Sequence, residues 1–142
     1  MTARTVGYWI TTGLVALAFA FGGVADLAAS PDMIAGMAHL GYPAYLAGLL
    51  GFWKLLGAGA ILAPGSARLK EWAYAGMFFD LTGAAYSHAS SGDPLGKILT
   101  PLIILGLVVA SWALRSDARA LPSAVPASDP SQPRGEFASA KA

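Results

Sequence analysis

Lys54 and Asp80 lie deep inside apolar stretches of this sequence and are its first candidates for chemistry. Lys54 lies twelve residues after Tyr42, and Asp80 lies ten residues before Ser90. At a helical rise of about 1.5 Å per residue, they are about 18 Å and about 15 Å from one membrane face. A charge facing lipid at that depth costs at least a few kcal/mol, so we expect both to face inward and to pair. Such a pair either serves a function or only fixes the register between two helices.

A second set of polar residues lies toward the outer ends of the apolar stretches and in the loops between them. Ser87 follows Asp80 by seven residues and shares its helix face, and His88 borders the same face. A polar vestibule built from this set could relay protons or hold a polar headgroup. Alternatively, Tyr86 and His88 only anchor a helix end at the membrane interface. The set comprises Asp26, His39, Tyr86, Ser87, His88 and Asp93.

Trp53, Glu71 and the glycines of the two central stretches complete the candidate site. Trp53 lies beside Lys54 and could wall a pocket. Glycines are frequent in both central stretches, and the gaps they leave could admit a flat ligand such as a quinone. Glu71 begins a helix, where the helix dipole stabilises a carboxylate without any further role. No His-x-x-x-His or Glu-x-x-His spacing occurs, so no metal site is predicted.

Four apolar stretches must position these side chains. They cover about 8–28, 42–63, 70–89 and 96–114, and each is long enough to cross a bilayer as a helix. With 56% hydrophobic and 12% charged residues, the chain lacks the polar surface of a soluble domain. The sequence therefore predicts an all-α fold, a four-helix transmembrane bundle in residues 1–115. A short interfacial helix is expected between the first two spans, with Ser30 as N-cap, Pro31 at its first position and Gly41 at its end.

Basic residues predict the orientation of the bundle. Five lie at one end and only Lys97 lies at the other, which favours a cytoplasmic location for both termini. Residues 116–142 are rich in Pro, Ser and Ala, and we predict a disordered C-terminal tail. The expected location is the bacterial inner membrane, as a multi-pass protein. The five basic residues are Arg4, Arg68, Lys70, Arg115 and Arg119.

Composition also excludes several classes of function. The net charge is +1 and basic residues do not cluster with aromatic ones, so nucleic acid is not an expected partner. The chain contains no Cys, which excludes disulfides, thiol redox chemistry and thiolate metal sites. No phosphate-binding loop and no nucleophile motif occur. No reaction can be written from these residues alone.

The two central stretches resemble the DoxX-like family of small four-span bacterial membrane proteins. The resemblance lies in GYPAYLAGLLGFWKLLGAGAILAPG and LKEWAYAGMFFDLTGAAYSHASSGD, within residues 7–114. It implies a four-helix membrane bundle and singles out Lys54, Glu71, Asp80 and His88. Family relatives are associated with a membrane thiosulfate:quinone oxidoreductase and with oxidative-stress complexes. Some redox-linked relatives use cysteines, which this chain lacks.

Three hypotheses follow. The first is a membrane protein whose polar interior binds a small lipophilic or quinone-like molecule, as an accessory subunit of a redox partner protein. The second is a non-catalytic scaffold or assembly factor, in which the buried Lys–Asp pair only holds the helices together. The third is a proton-coupled carrier, for which no inverted repeat is evident. The lipid bilayer is the expected environment in each case, and a homo-oligomer is possible.

Overall fold

The computed structural model describes residues 2–116, and these residues form five helices and no strand. The helices are α1 (Ala3–Ala28), α2 (Pro31–His39), α3 (Tyr45–Leu62), α4 (Ala67–Ser90) and α5 (Leu95–Ala113). The predicted all-α fold is confirmed. The predicted disordered tail lies, from residue 117 onward, outside the described residues.

Hydroxyl side chains begin three of the helices. Thr2, Ser30 and Ser66 each accept a hydrogen bond from the backbone N–H three residues later, which satisfies a donor that the first helical turn leaves open. Pro31 occupies the first position of α2, as the sequence predicts. Gly41, in the left-handed region with φ +80°, then turns the chain toward α3.

Three helices are long and apolar enough to cross a membrane: α1, α3 and α5. Helix α4 has 24 residues but is not among them, since charged residues in its first turns and Asp80 and other polar residues further along lower its mean hydropathy. Many large apolar side chains on these helices are exposed. A surface of that kind is typical of a protein that contacts lipid.

The four long helices pack in the cyclic order α1, α3, α4, α5, and α2 lies against α3. The α1–α3 seam is the closest, because a Cβ added to Gly51 would lie 2.7 Å from the Gly23 carbonyl oxygen. The α3–α4 seam is much sparser. A core of Val15, Phe19 and Met77 with their neighbours fills the space between the helices.

The two ends of the molecule are distinct. At the α2 end, which holds α2 and the α4–α5 loop, His39 contacts Asp93. At the terminal end, Arg4 donates a hydrogen bond to the backbone oxygen of Arg115, so the start of α1 lies beside the residue that follows α5. Adjacent long helices therefore run antiparallel.

Candidate functional site

Lys54 lies between two carboxylates from different helices, and we call Lys54, Asp26 and Asp80 the Lys54 cluster. The Nζ of Lys54 donates a hydrogen bond of 2.8 Å to Asp26 Oδ2 and lies 3.9 Å from Asp80 Oδ2. The three side chains are 23%, 8% and 18% exposed, respectively. The cluster links α3 to α1 and to α4 from inside the molecule.

Asp26 is the closest partner of Lys54, although the sequence placed it in the outer polar set. Helical side chains point back toward the N-terminus of their helix. In antiparallel α1 and α3, this direction brings Asp26 and Lys54 toward each other. Gly22 leaves room for the lysine stem, since a Cβ there would lie 3.8 Å from Lys54 Cδ. Asp80, the partner predicted for Lys54, lies within ion-pair distance of it, but the Asp80 side chain has no hydrogen bond from residues 2–116.

A cavity of about 340 Å³ extends from the Lys54 cluster to the α2 end. Most of its lining surface is apolar, but charged or titratable side chains line both of its ends, and we call it the polar cavity. Lys54 and Asp80 line its deep part, and His88 and Lys97 line the part toward the α2 end. Between them it is lined by apolar or small residues such as Ala84 and by the hydroxyl-bearing Thr100. The cavity therefore connects the buried charges with the polar residues of the α2 end.

An apolar groove of about 880 Å³ follows the sparse α3–α4 seam. It extends from the Lys54 cluster toward the terminal end, where Ala63 and Leu69 line it. Trp53 forms part of its wall, as the sequence suggested, and Gly76 widens it. Lys54 and Asp80 line this groove as well as the polar cavity.

Asp93 gathers three basic side chains at the α2 end, and we call these four residues the Asp93 cluster. Its carboxylate oxygens lie 2.7 Å from His88 Nδ1, 3.1 Å from His39 Nε2 and 3.3 Å from Lys97 Nζ. An ionised carboxylate only accepts hydrogen bonds, so both histidine nitrogens carry a proton. The bond from His88, helped by Lys97 and His39, lowers the pKa of Asp93 from 3.8 to about 2.

The family of the chain follows from a comparison with known proteins. The model of the DoxX-like family matches residues 10–111, which include α1 from Ile10, all of α2, α3 and α4, and most of α5. The chain belongs to the DoxX-like family. Comparison with curated proteins and with solved structures found no significant match.

The other predicted residues of this DoxX-like protein lie apart from the Lys54 cluster. Ser87 donates a hydrogen bond of 2.8 Å to the Gly83 carbonyl oxygen and accepts one of 2.7 Å from the Tyr42 hydroxyl. Tyr86 is exposed on α4. Glu71, at the terminal end, accepts hydrogen bonds from Arg115, 2.6 Å away, and from Trp112.

A buried hydroxyl network of the DoxX-like protein was not predicted. Ser111 Oγ lies 2.7 Å from Thr12 Oγ1 and 2.8 Å from the Tyr74 hydroxyl. The Arg115 guanidinium lies over the Tyr74 ring, 5.1 Å from its centroid. The spacing of single hydroxyl residues in apolar stretches does not predict that they meet. Only their similar depth in three different helices could have suggested the network.

Proposed function

We propose that this DoxX-like protein is a four-span protein of the bacterial inner membrane with both termini in the cytoplasm. Helix α4 would be the fourth span. Its low average hydropathy is compatible with lipid because two of its charged residues face inward: Lys70 is buried and Asp80 lines the internal cavity. Trp72 and Phe79 face outward instead. The exposed Arg68 lies at the terminal end. The basic residues at the terminal end support a cytoplasmic location for that end.

We further propose that the interior binds a small amphipathic molecule, with a quinone as one member of that class. The observation that carries this proposal is that Lys54 and Asp80 line both an apolar groove and a polar cavity. Ligand sites are largely apolar with a few convergent polar groups, and this arrangement has that character. The apolar part of the ligand would lie in the groove. Its polar group would bind the Lys54 ammonium or the Asp80 carboxylate.

In this role the protein would act as an accessory subunit that presents the molecule to a redox partner protein. The chain contains no Cys, so any electron transfer would take place on the ligand or on the partner. Exposed aromatic residues along the groove, Trp53 and Trp72, would form the surface nearest to such a partner or to a second copy of the chain.

Mass spectrometry of the protein purified in mild detergent tests ligand binding. We expect an amphipathic molecule to copurify with the native chain. Gly76→Leu fills the groove without an internal clash, because a Cβ at Gly76 has no neighbour within 4 Å. This variant should lose the molecule. Gly83→Leu is the matched control on α4, since Gly83 is exposed, equally open and outside the groove lining. If nothing copurifies, or if Gly76→Leu retains the molecule, ligand binding in the groove is wrong.

A scaffold role is the second candidate, and one observation favours it. The Lys54 cluster joins three helices, so its charges could serve only to hold α1, α3 and α4 in register. Under this alternative, replacing all three charged residues with neutral ones restores the folded yield that a single replacement lowers. The native chain would then carry no bound molecule.

A further inference from the structure

The charges of the Lys54 cluster do not balance. Two carboxylates surround one ammonium, which leaves one excess negative charge when all three groups are ionised. Asp26 holds the direct hydrogen bond of Lys54, whereas the Asp80 carboxylate lies 3.9 Å away and accepts no hydrogen bond from residues 2–116. Since an unbalanced charge inside a membrane is costly, Asp80 is the group that benefits most from binding a cation.

The polar cavity extends from Asp80 toward the α2 end. It begins at Asp80 and reaches His88, eight residues or about 12 Å further along α4. Its volume of about 340 Å³ is enough for several water molecules. Near the α2 end it is lined by His88 and Lys97, both of which bind Asp93, a carboxylate in the α4–α5 loop.

We propose that the polar cavity is a water-filled entry through which Asp80 takes up a proton from the α2 side. The proton binds a carboxylate oxygen of Asp80, converts it to the neutral acid and removes the excess charge of the Lys54 cluster. This inference rests on the membrane placement proposed above but not on the proposed ligand. It adds a proton-binding function to the same interior.

Each of the four long helices contributes a charged group near this route. Asp26 of α1 is engaged by Lys54 of α3, which leaves Asp80 of α4 as the less compensated carboxylate. His88 and Lys97, which line the cavity from α4 and α5, are both held by Asp93. A proton that enters from the α2 side therefore passes His88 and Lys97, which are already bound to Asp93, before it reaches Asp80.

Infrared spectroscopy of the full chain in lipid nanodiscs tests the proton site. We expect, as the pH falls, a C=O stretching band of a protonated buried carboxyl group that is distinct from the band of the exposed Asp and Glu residues. Asp80→Asn should abolish the band, whereas Asp26→Asn, which leaves one carboxylate for one ammonium, should move the appearance of the band to lower pH. If the band survives in Asp80→Asn, or if no such band forms at any pH at which the protein is folded, the proposal is wrong. If sodium at constant pH abolishes the band, the site binds metal cations and the proposal is also wrong.

Hydrogen–deuterium exchange of that band tests the route. Ala84→Phe places a ring in the cavity, whereas Gly83→Phe, one residue earlier, places it on the exposed face of α4. We expect exchange in Ala84→Phe to be slowed about tenfold or more, since an added barrier of about 1.4 kcal/mol already has this effect. Gly83→Phe should exchange at the native rate. Equal rates in the two variants would overturn the route.

Cysteine labelling gives a second measurement that does not depend on a large side chain. The native chain has no Cys, so a single introduced thiol is the only site of reaction. Because thiols react as thiolates, they react in water and not in lipid. Ala84→Cys should react with a membrane-impermeant thiosulfonate added on the α2 side, and Gly83→Cys should not. An unreactive Ala84→Cys would refute the water-filled entry. None of these readouts requires a ligand, so a failure to copurify a molecule would affect only the proposed function.

Discussion

Replacing Lys54 with methionine removes the only cation of the Lys54 cluster and keeps an apolar side chain of similar length. Asp26 and Asp80 then share the protein interior without a positive charge. At an effective dielectric constant of about 20, the gross attraction of Lys54 is about 6 kcal/mol to Asp26 at 2.8 Å and about 4 kcal/mol to Asp80 at 3.9 Å. Desolvation offsets much of this attraction. Breaking a buried pair by removing one partner typically costs about 3–5 kcal/mol, and we expect a loss near the lower value.

The assay is reversible unfolding in mild detergent, followed by circular dichroism as a denaturing detergent is added. Lys97→Met is the matched control, because Lys97 is 58% exposed and lies 3.3 Å from Asp93. The Asp93 side chain is only 6% exposed, but His88 and His39 still bind it when Lys97 is removed, and an ion pair with an exposed lysine contributes about 1 kcal/mol or less. We therefore expect Lys54→Met to destabilise the protein clearly more than Lys97→Met does.

Two single carboxylate variants sharpen the test. Asp26→Asn removes the partner at 2.8 Å, whereas Asp80→Asn removes the partner at 3.9 Å and also the excess negative charge. We expect Asp26→Asn to lower the free energy of unfolding and Asp80→Asn to leave it unchanged or to raise it. Equal losses in Lys54→Met and Lys97→Met, or a larger loss in Asp80→Asn than in Asp26→Asn, would refute the reasoning from distance and charge.

Three further predictions concern other parts of the molecule. Gly51→Ala should destabilise the protein by about 1–3 kcal/mol, because its Cβ would lie 2.7 Å from a backbone oxygen of α1. A Cβ at Gly59 would meet nothing within 4 Å, so Gly59→Ala should be neutral or stabilising in the same unfolding assay. Asp93 has a folded-state pKa of about 2, below its ordinary value of 3.8, so its contribution to stability is present above pH 4 and is lost as the pH falls toward 2. An acid titration should show a smaller loss over that range in Asp93→Asn than in the native protein. Glu71→Gln should lower the free energy of unfolding by about 1–3 kcal/mol, since it removes the charge that pairs with the buried Arg115 guanidinium. A loss of stability no larger than that of Lys97→Met would contradict this prediction.

Much of the architecture could be predicted from local signals. Ser30 and Pro31 mark the start of α2, because a hydroxyl cap and a proline each suit one position at a helix N-terminus. Apolar blocks locate the four long helices to within a few residues, since each block ends where Gly, Pro or Ser residues interrupt it. The prediction for the second span begins at residue 42, whereas α3 begins at Tyr45, because Tyr42 and Pro43 lie in the turn that follows Gly41.

The candidate site was harder to predict because depth alone does not identify partners. Counting residues placed Lys54 and Asp80 at one level but ignored the direction of the side chains. Lys54 points toward the α2 end, where Asp26 lies, and the Gly23–Gly51 contact brings α1 close enough for a hydrogen bond. That contact depends on which glycines face each other, and the sequence offers several. The two cavities depend on the unequal packing of the helix seams, which no single residue encodes.

The unequal seams divide the molecule into two closely packed helix pairs. Helices α1 and α3 meet backbone to backbone and α4 and α5 also pack closely, whereas the α1–α5 and α3–α4 seams between the pairs are both sparser. The apolar groove follows one of these sparser seams. We therefore expect small shifts of one pair relative to the other to change the width of the groove more readily than shifts within a pair.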